Sequence, residues 1–273
     1  MKQIAQLILP ITLGVFLYTS WHATQVPFQD HRGRTVLKYS QNDSLWKRID
    51  YPVFRTLNGT MRDSRPMQIF WGIANNRSMD LISMLWMTSV FFAVYFKNPN
   101  HEDRASLLQF ALYISVVTLL TIVCSSSKIF QDFRRWSPTL SSDLMNRAVL
   151  LSKLQHIPGH PKDHSSCCFP GDHGIGLLMT GSFLLYRLRP WAARIAVLFG
   201  MIFFALPRLA GGGHWISDLL AGSMLYYTVF FSISMFAPIR ERSLALLRLP
   251  AIRLNHCVAF LLKKNPTDGK TAQ

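Results

Sequence analysis

PRLAGGGHWISDLLAGSMLYYTVFFSISMF, from Pro207 to Phe236, is the stretch on which the fold turns. From Ile216 to its end it is apolar apart from Asp218 and a few hydroxyl residues. At its head stand Arg208, His214 and Asp218. A helix needs about 20 such residues to cross a hydrocarbon core of about 30 Å. Ionisable groups are expensive in mid-bilayer, so a cluster of them confined to one end of a span puts chemistry at the membrane surface.

Outward from this stretch, the same reading gives five more apolar runs in the 273-residue chain. They are Leu7 to Trp21, Met79 to Phe96, Ala105 to Cys124, a short one from Gly174 to Leu188, and Ala192 to Pro207. The expected class is an all-α integral membrane protein, a bundle of six transmembrane helices. Residues 1–240 form one catalytic membrane domain, and 241–273 a basic cytoplasmic tail whose end, Asn265 to Gln273, is expected to be disordered. The first run reads as a retained anchor, because Trp21 and His22 stand where a signal-peptide cleavage site needs small residues. The long segment 22–78 carries scattered apolar positions between Leu45 and Ile73 with Arg and Lys between them. It reads as short amphipathic helices in the interface, divided at Pro52 and Pro66.

The net charge is +15. A basic balance points to anionic lipid, nucleic acid or an anionic substrate. Neither zinc-finger spacing nor an RNA-binding signature accompanies it, so nucleic acid is not an expected partner. Lys97, Arg104, Arg187, Arg189, Arg194 and the basic tail fall on one side of a six-span topology and read as cytoplasmic. The two long loops on the other side are basic too, which an anionic substrate there explains. None of the four cysteines forms a CxxC pair, and a bond between the adjacent Cys167 and Cys168 is strained. A bridge from either to Cys124 requires a loop in an oxidising compartment. His156, His160 and His164 have helical spacing, but Pro158 and Pro161 break any helix there, so no metal site is expected.

Three polar clusters fall on the side opposite the basic tail. Lys128 and Arg135, with Arg134 beside them, follow the third span. Pro170-Gly171-Asp172-His173 opens the fourth, and Arg208-x5-His214-x3-Asp218 follows the fifth. A phosphoryl group in transfer spreads negative charge over its oxygens and needs fixed cations, which Lys128, Arg134, Arg135 and Arg208 supply. Gly171 ahead of a helix offers backbone N–H groups to an anion. His214 and Asp218 share a helix face at i,i+4. A carboxylate on one imidazole nitrogen fixes the tautomer and sharpens the other as a nucleophile. His173 is then placed to protonate the leaving oxygen.

These three motifs resemble those of the type 2 phosphatidic acid phosphatase superfamily, over about Met79 to Phe236. The resemblance implies no metal or other cofactor and a phosphohistidine intermediate on His214, with Asp218 its partner and His173 the general acid. Departures from the pattern are Trp136-Ser137-Pro138 after Arg135, Gly171-Asp172 before His173, and Pro207 before Arg208. They, together with Asp143-x-x-Asn146-Arg147 and Asn75-Asn76-Arg77-x-x-Asp80, resemble the lipid A phosphotransferases of that superfamily. This implies undecaprenyl diphosphate and lipid A as substrates at the periplasmic face of a Gram-negative inner membrane. Asn75, Asn76, Arg77, Asp80, Asn146 and Arg147 become candidates for holding the second substrate. A phosphatase passing the phosphate to water shares the first step.

Overall fold

The computed structural model describes residues 2–30, 32–40, 44–126, 134–141 and 144–263. Lys128, Asp143 and the residues from 264 on, among them the stretch Asn265 to Gln273 expected to be disordered, lie outside the described residues. The chain opens with α1 (Lys2–His22) and a hairpin of β1 (Gln25–Gln29) and β2 (Thr35–Tyr39). Next come α2 (Leu45–Gly59), α3 (Arg65–Ala74), α4 (Met79–Lys97) and α5 (His101–Ser125). Two short 3-10 turns, Pro138–Leu140 and Leu151–Lys153, precede α6 (Asp172–Arg187) and α7 (Trp191–Ala210). A π-helical turn, Asp218–Ser223, runs into α8 (Met224–Met235), and α9 (Ala237–Lys263) closes the described chain.

Five of these helical segments are long and apolar enough to cross a membrane: α1, α4, α5, α7 and the continuous Asp218–Met235. α6 has only 16 residues, but it is the hub and packs on α4, α5, α7 and α8. Phe110, Ile175, Met179, Phe183 and Tyr226 close one side of it, and Phe91, Leu177, Leu184, Val197 and Phe204 the other. Apolar area alone does not drive helices together in lipid, so close packing of small residues matters. A Cβ on Gly181 would overlap Met201 of α7, and one on Gly14 of α1 would overlap Thr228 of α8.

The helices run alternately up and down. Lys97, Asn98, Asp103, Arg187 and Arg189 gather around one cavity at one end of the bundle. The last residues of α1, α5 and α7 and the first of α4 and α6 lie toward the other end. α9 turns back from α8 and packs on α5, with Tyr95 donating to Asn255 and Gln109 to the Leu244 carbonyl.

Two details of the segment before α4 differ from the sequence expectation. α2 passes through Pro52 without dividing, and the break falls at 60–64, ahead of Pro66. The hairpin was not expected. Asp30 closes its turn, accepting the N–H groups of Arg32 and Arg34 and the Arg34 guanidinium. A single isolated parallel bridge joins Leu37 of β2 to Arg135, with the Leu37 N–H donated to the Arg134 carbonyl at 2.7 Å.

Candidate active site

Arg208 lies in the last turn of α7, and five residues, the last three of them glycine, separate it from His214. Gly212 has a φ of +79°, the left-handed region, and a Cβ there would strike Phe54 and Thr139. A Cβ on Gly211 would overlap the Asn75 amide. This tight loop lets the Arg208 carbonyl accept the N–H groups of both Gly213 and His214, so the arginine and the histidine are locked in register.

His214 is 4% exposed. Its Nδ1 lies 2.8 Å from the Cys168 carbonyl and 3.5 Å from Asp218 Oδ2. A carbonyl can only accept, so Nδ1 carries the hydrogen and, in the neutral ring, Nε2 carries the lone pair. Nε2 is buried and has no hydrogen-bond partner among the described residues. The sequence expectation paired Asp218 with one nitrogen of this ring; the pair is present at Nδ1, but the shorter bond there goes to the Cys168 carbonyl. Asp218 stands behind as a charge, with Oδ2 accepting the Trp215 N–H at 2.8 Å.

Asp218 Oδ1 accepts from Arg135 at 2.9 Å, and Asp50 Oδ2 accepts from the same guanidinium at 2.8 Å. The Ser217 hydroxyl takes a third bond, and the rings of Tyr39, Trp215 and Trp21 surround the cation with centroids 4.7, 4.9 and 5.5 Å away. Burial alone would lower the pKa of Arg135, but Tyr39, Asp50 and Asp218 outweigh it and hold the guanidinium well above its ordinary value. Burial pushes the Tyr39 hydroxyl up. Burial, with Asp218 beside it, also keeps Cys168 a thiol. Arg135 was expected to hold phosphate; three of its five N–H bonds go instead to Ser217, Asp218 and Asp50 inside this buried cluster. Asp50 was missed. Its signal was an acid on the otherwise inward-facing stripe Trp46, Asp50, Phe54, Asn58 of α2.

Arg208 has a different surrounding. Its Nη1 donates to the Asn75 carbonyl and side-chain oxygen at 2.9 and 3.0 Å, and its Nη2 to Asp80 at 2.6 Å. Of its five N–H bonds, Nε–H and one on Nη2 have no partner among the described residues. They offer an edge suited to two phosphate oxygens. Asp80 also faces His173 Nδ1 at 3.1 Å, while His173 Nε2 lies 2.9 Å from the Phe204 carbonyl. With acceptors at both nitrogens, His173 is fully satisfied only when both carry hydrogen. Asn75 and Asp80, read as second-substrate contacts, are therefore bound to Arg208 and His173. Asn76 caps the turn at Ser78, and Arg77 is exposed.

Gly171 was expected to offer its N–H to an anion, but that group is donated to the Asp218 carbonyl at 3.3 Å. Asp172 does not touch Arg135. Its carboxylate accepts the His173 N–H and stands 4.0 Å from His214 Nε2. Lys162, another residue the sequence reading missed, is held at the same mouth. Its N–H and carbonyl pair with Asn75, and the carbonyl packs over Gly213. Its charge acts on Asp172. Arg134 is partly exposed beside Cys167. Asn146 and Arg147 are exposed and lie apart, in a cleft against α2.

The chain is 28% identical over 243 residues to the lipid A 1-diphosphate synthase of Escherichia coli (strain K12), covering 88% of this chain and 91% of that protein. That supports a distant relationship along most of the chain. No family model matches, and no solved structure matches.

Proposed function

We propose that this chain is a membrane phosphotransferase of the type 2 phosphatidic acid phosphatase kind. It would move the terminal phosphate of undecaprenyl diphosphate to the 1-phosphate of lipid A, or of its Kdo-bearing form. The observation that carries the chemistry is His214: a proton pinned at Nδ1 and an unpartnered lone pair at Nε2. The name of the E. coli relative supports the acceptor.

In the proposed reaction, Nε2 attacks the terminal phosphorus, and the bond to the bridging oxygen breaks. Undecaprenyl phosphate leaves with a proton from His173, whose Nδ1 exchanges Asp80 for that oxygen. The phosphohistidine ring is cationic, and Asp218 behind it is placed to stabilise that charge. The Arg208 edge and Lys162 hold the phosphoryl oxygens, with Arg134 and Lys128 as further cations. An oxygen of the acceptor's phosphate monoanion then attacks phosphorus and the P–N bond breaks; the acceptor's proton passes to His173, so both histidines return to their starting state. The products are lipid A 1-diphosphate and undecaprenyl phosphate. We place the site at the periplasmic face of a Gram-negative inner membrane. In that reading α6 serves as a sixth span, and the tail after α8 is cytoplasmic.

The test is undecaprenyl diphosphate labelled in its terminal phosphate, with and without Kdo-lipid A. Label on lipid A with little free phosphate is the expected outcome. Label released as free phosphate at the same rate with or without lipid A would make the protein a phosphatase.

Removing a hydrogen bond to a charged group leaves it short by about 1.5–3 kcal/mol. Asn75→Ala loosens Arg208 and Lys162 together, so kcat/KM for transfer should fall about ten- to a hundredfold. Steady-state kinetics on the purified variant checks this; an unchanged kcat/KM would remove Asn75 from the machinery.

A further inference from the structure

A cleft of about 670 Å³ opens beside the reaction centre, on the outer side of α2. Arg55 and Arg62, seven residues apart on α2 and the turn after it, face Asn146 and Arg147 across it. All three arginines are exposed, and none has a carboxylate within ion-pair reach among the described residues. Three cations in one concavity, with no acid among its described lining residues, focus a positive potential. Guanidinium forks match the oxygens of phosphate or carboxylate.

The cleft is rigidly tied to the active site. Asn58 donates to the carbonyls of Val149 and of Ala210, two residues past Arg208, and accepts the Val149 N–H at 2.8 Å. Phe54 lines the cleft, and its ring lies 6.3 Å from that of Trp215, the neighbour of His214. One aromatic layer thus separates the two places, and the volume exceeds what a single phosphate fills.

We propose that this cleft is a subsite for a second anionic group on the acceptor's sugar headgroup, engaged while the acceptor's first phosphate faces His214. This rests on the glycolipid acceptor of the proposed function. It makes the enzyme selective for acceptors with two separated anionic ends. Lipid A offers two sources of that chemistry, the phosphate on its far sugar and the carboxylates of attached acidic sugars.

The experiment compares transfer to four acceptors: with both features, lacking the far phosphate, lacking the acidic sugars, and lacking both. Wild-type enzyme is measured beside Arg55→Gln/Arg62→Gln and Arg147→Gln. In wild type, kcat/KM should drop about tenfold when the engaged group is absent, and the arm that drops names the source. In the variants the ratio between acceptors should approach one. That ratio is taken within each variant, so partial folding does not affect it. Equal use of all four acceptors by wild type, or a ratio the variants preserve, would overturn the subsite. Transfer to none of them, with the donor hydrolysed, would instead fail the proposed function.

Discussion

His214→Gln should abolish the labelled phosphoprotein and lower transfer by about four orders of magnitude or more, as loss of a nucleophile does. The glutamine amide can still donate to the Cys168 carbonyl, so the loop from Arg208 keeps its register and the protein folds. What goes is the lone pair at Nε2. Asp218→Asn should be milder, because the bond that fixes the tautomer is made by the Cys168 carbonyl at 2.8 Å and the carboxylate lies at 3.5 Å. The check is a rapid-quench experiment with labelled donor, run at alkaline pH where phosphohistidine survives. Phosphoprotein in His214→Gln at the wild-type level would rule out His214 as the attacking group.

Arg135→Met should have the largest effect on stability, about 3–5 kcal/mol. Removing one member of a buried ion cluster leaves the others without compensation, here Asp50 and Asp218, both fully buried. Arg135→Lys should recover only part, since an ammonium cannot fork between two carboxylates or stack among three rings. Adding Asp50→Asn to Arg135→Met should restore some of the loss by deleting one stranded charge. Denaturant or thermal unfolding in detergent gives the ranking. If Arg135 held substrate phosphate instead, Arg135→Met would melt like wild type and show a raised KM, and that result would refute the assignment made here.

Some of this was readable in the chain. The apolar runs announced the membrane helices because lipid leaves a long, uninterrupted composition signal. The spacing of Arg208, His214 and Asp218 pointed to one span's mouth, and the fold brings Arg208 and His214 into register there with Asp218 3.5 Å from the histidine. Other parts left weaker marks. The hairpin has strands of five residues each, too short for a firm alternation against the amphipathic pattern around it. Pro52 read as a boundary because proline usually disrupts a helix interior, yet α2 continues. Arg134 and Arg135 looked equivalent until the fold buried one of them among rings from α1, β2 and the loop after His214. A backbone carbonyl such as that of Cys168 has no sequence signature. Its role as the partner of Nδ1 was therefore beyond any motif.

The shortness of α6 has a geometric consequence. Sixteen residues at about 1.5 Å of rise measure about 24 Å, against about 30 Å of hydrocarbon. If its lower end reaches the far interface, His173 at its upper end lies several ångströms beneath the surface of the near leaflet. The reaction would then take place in a sunken basin within the membrane. Lipid substrates would not need to rise into water with their chains exposed. Their headgroups would be drawn downward, and the arginine-rich wall would offset the lost hydration of those headgroups on the way in.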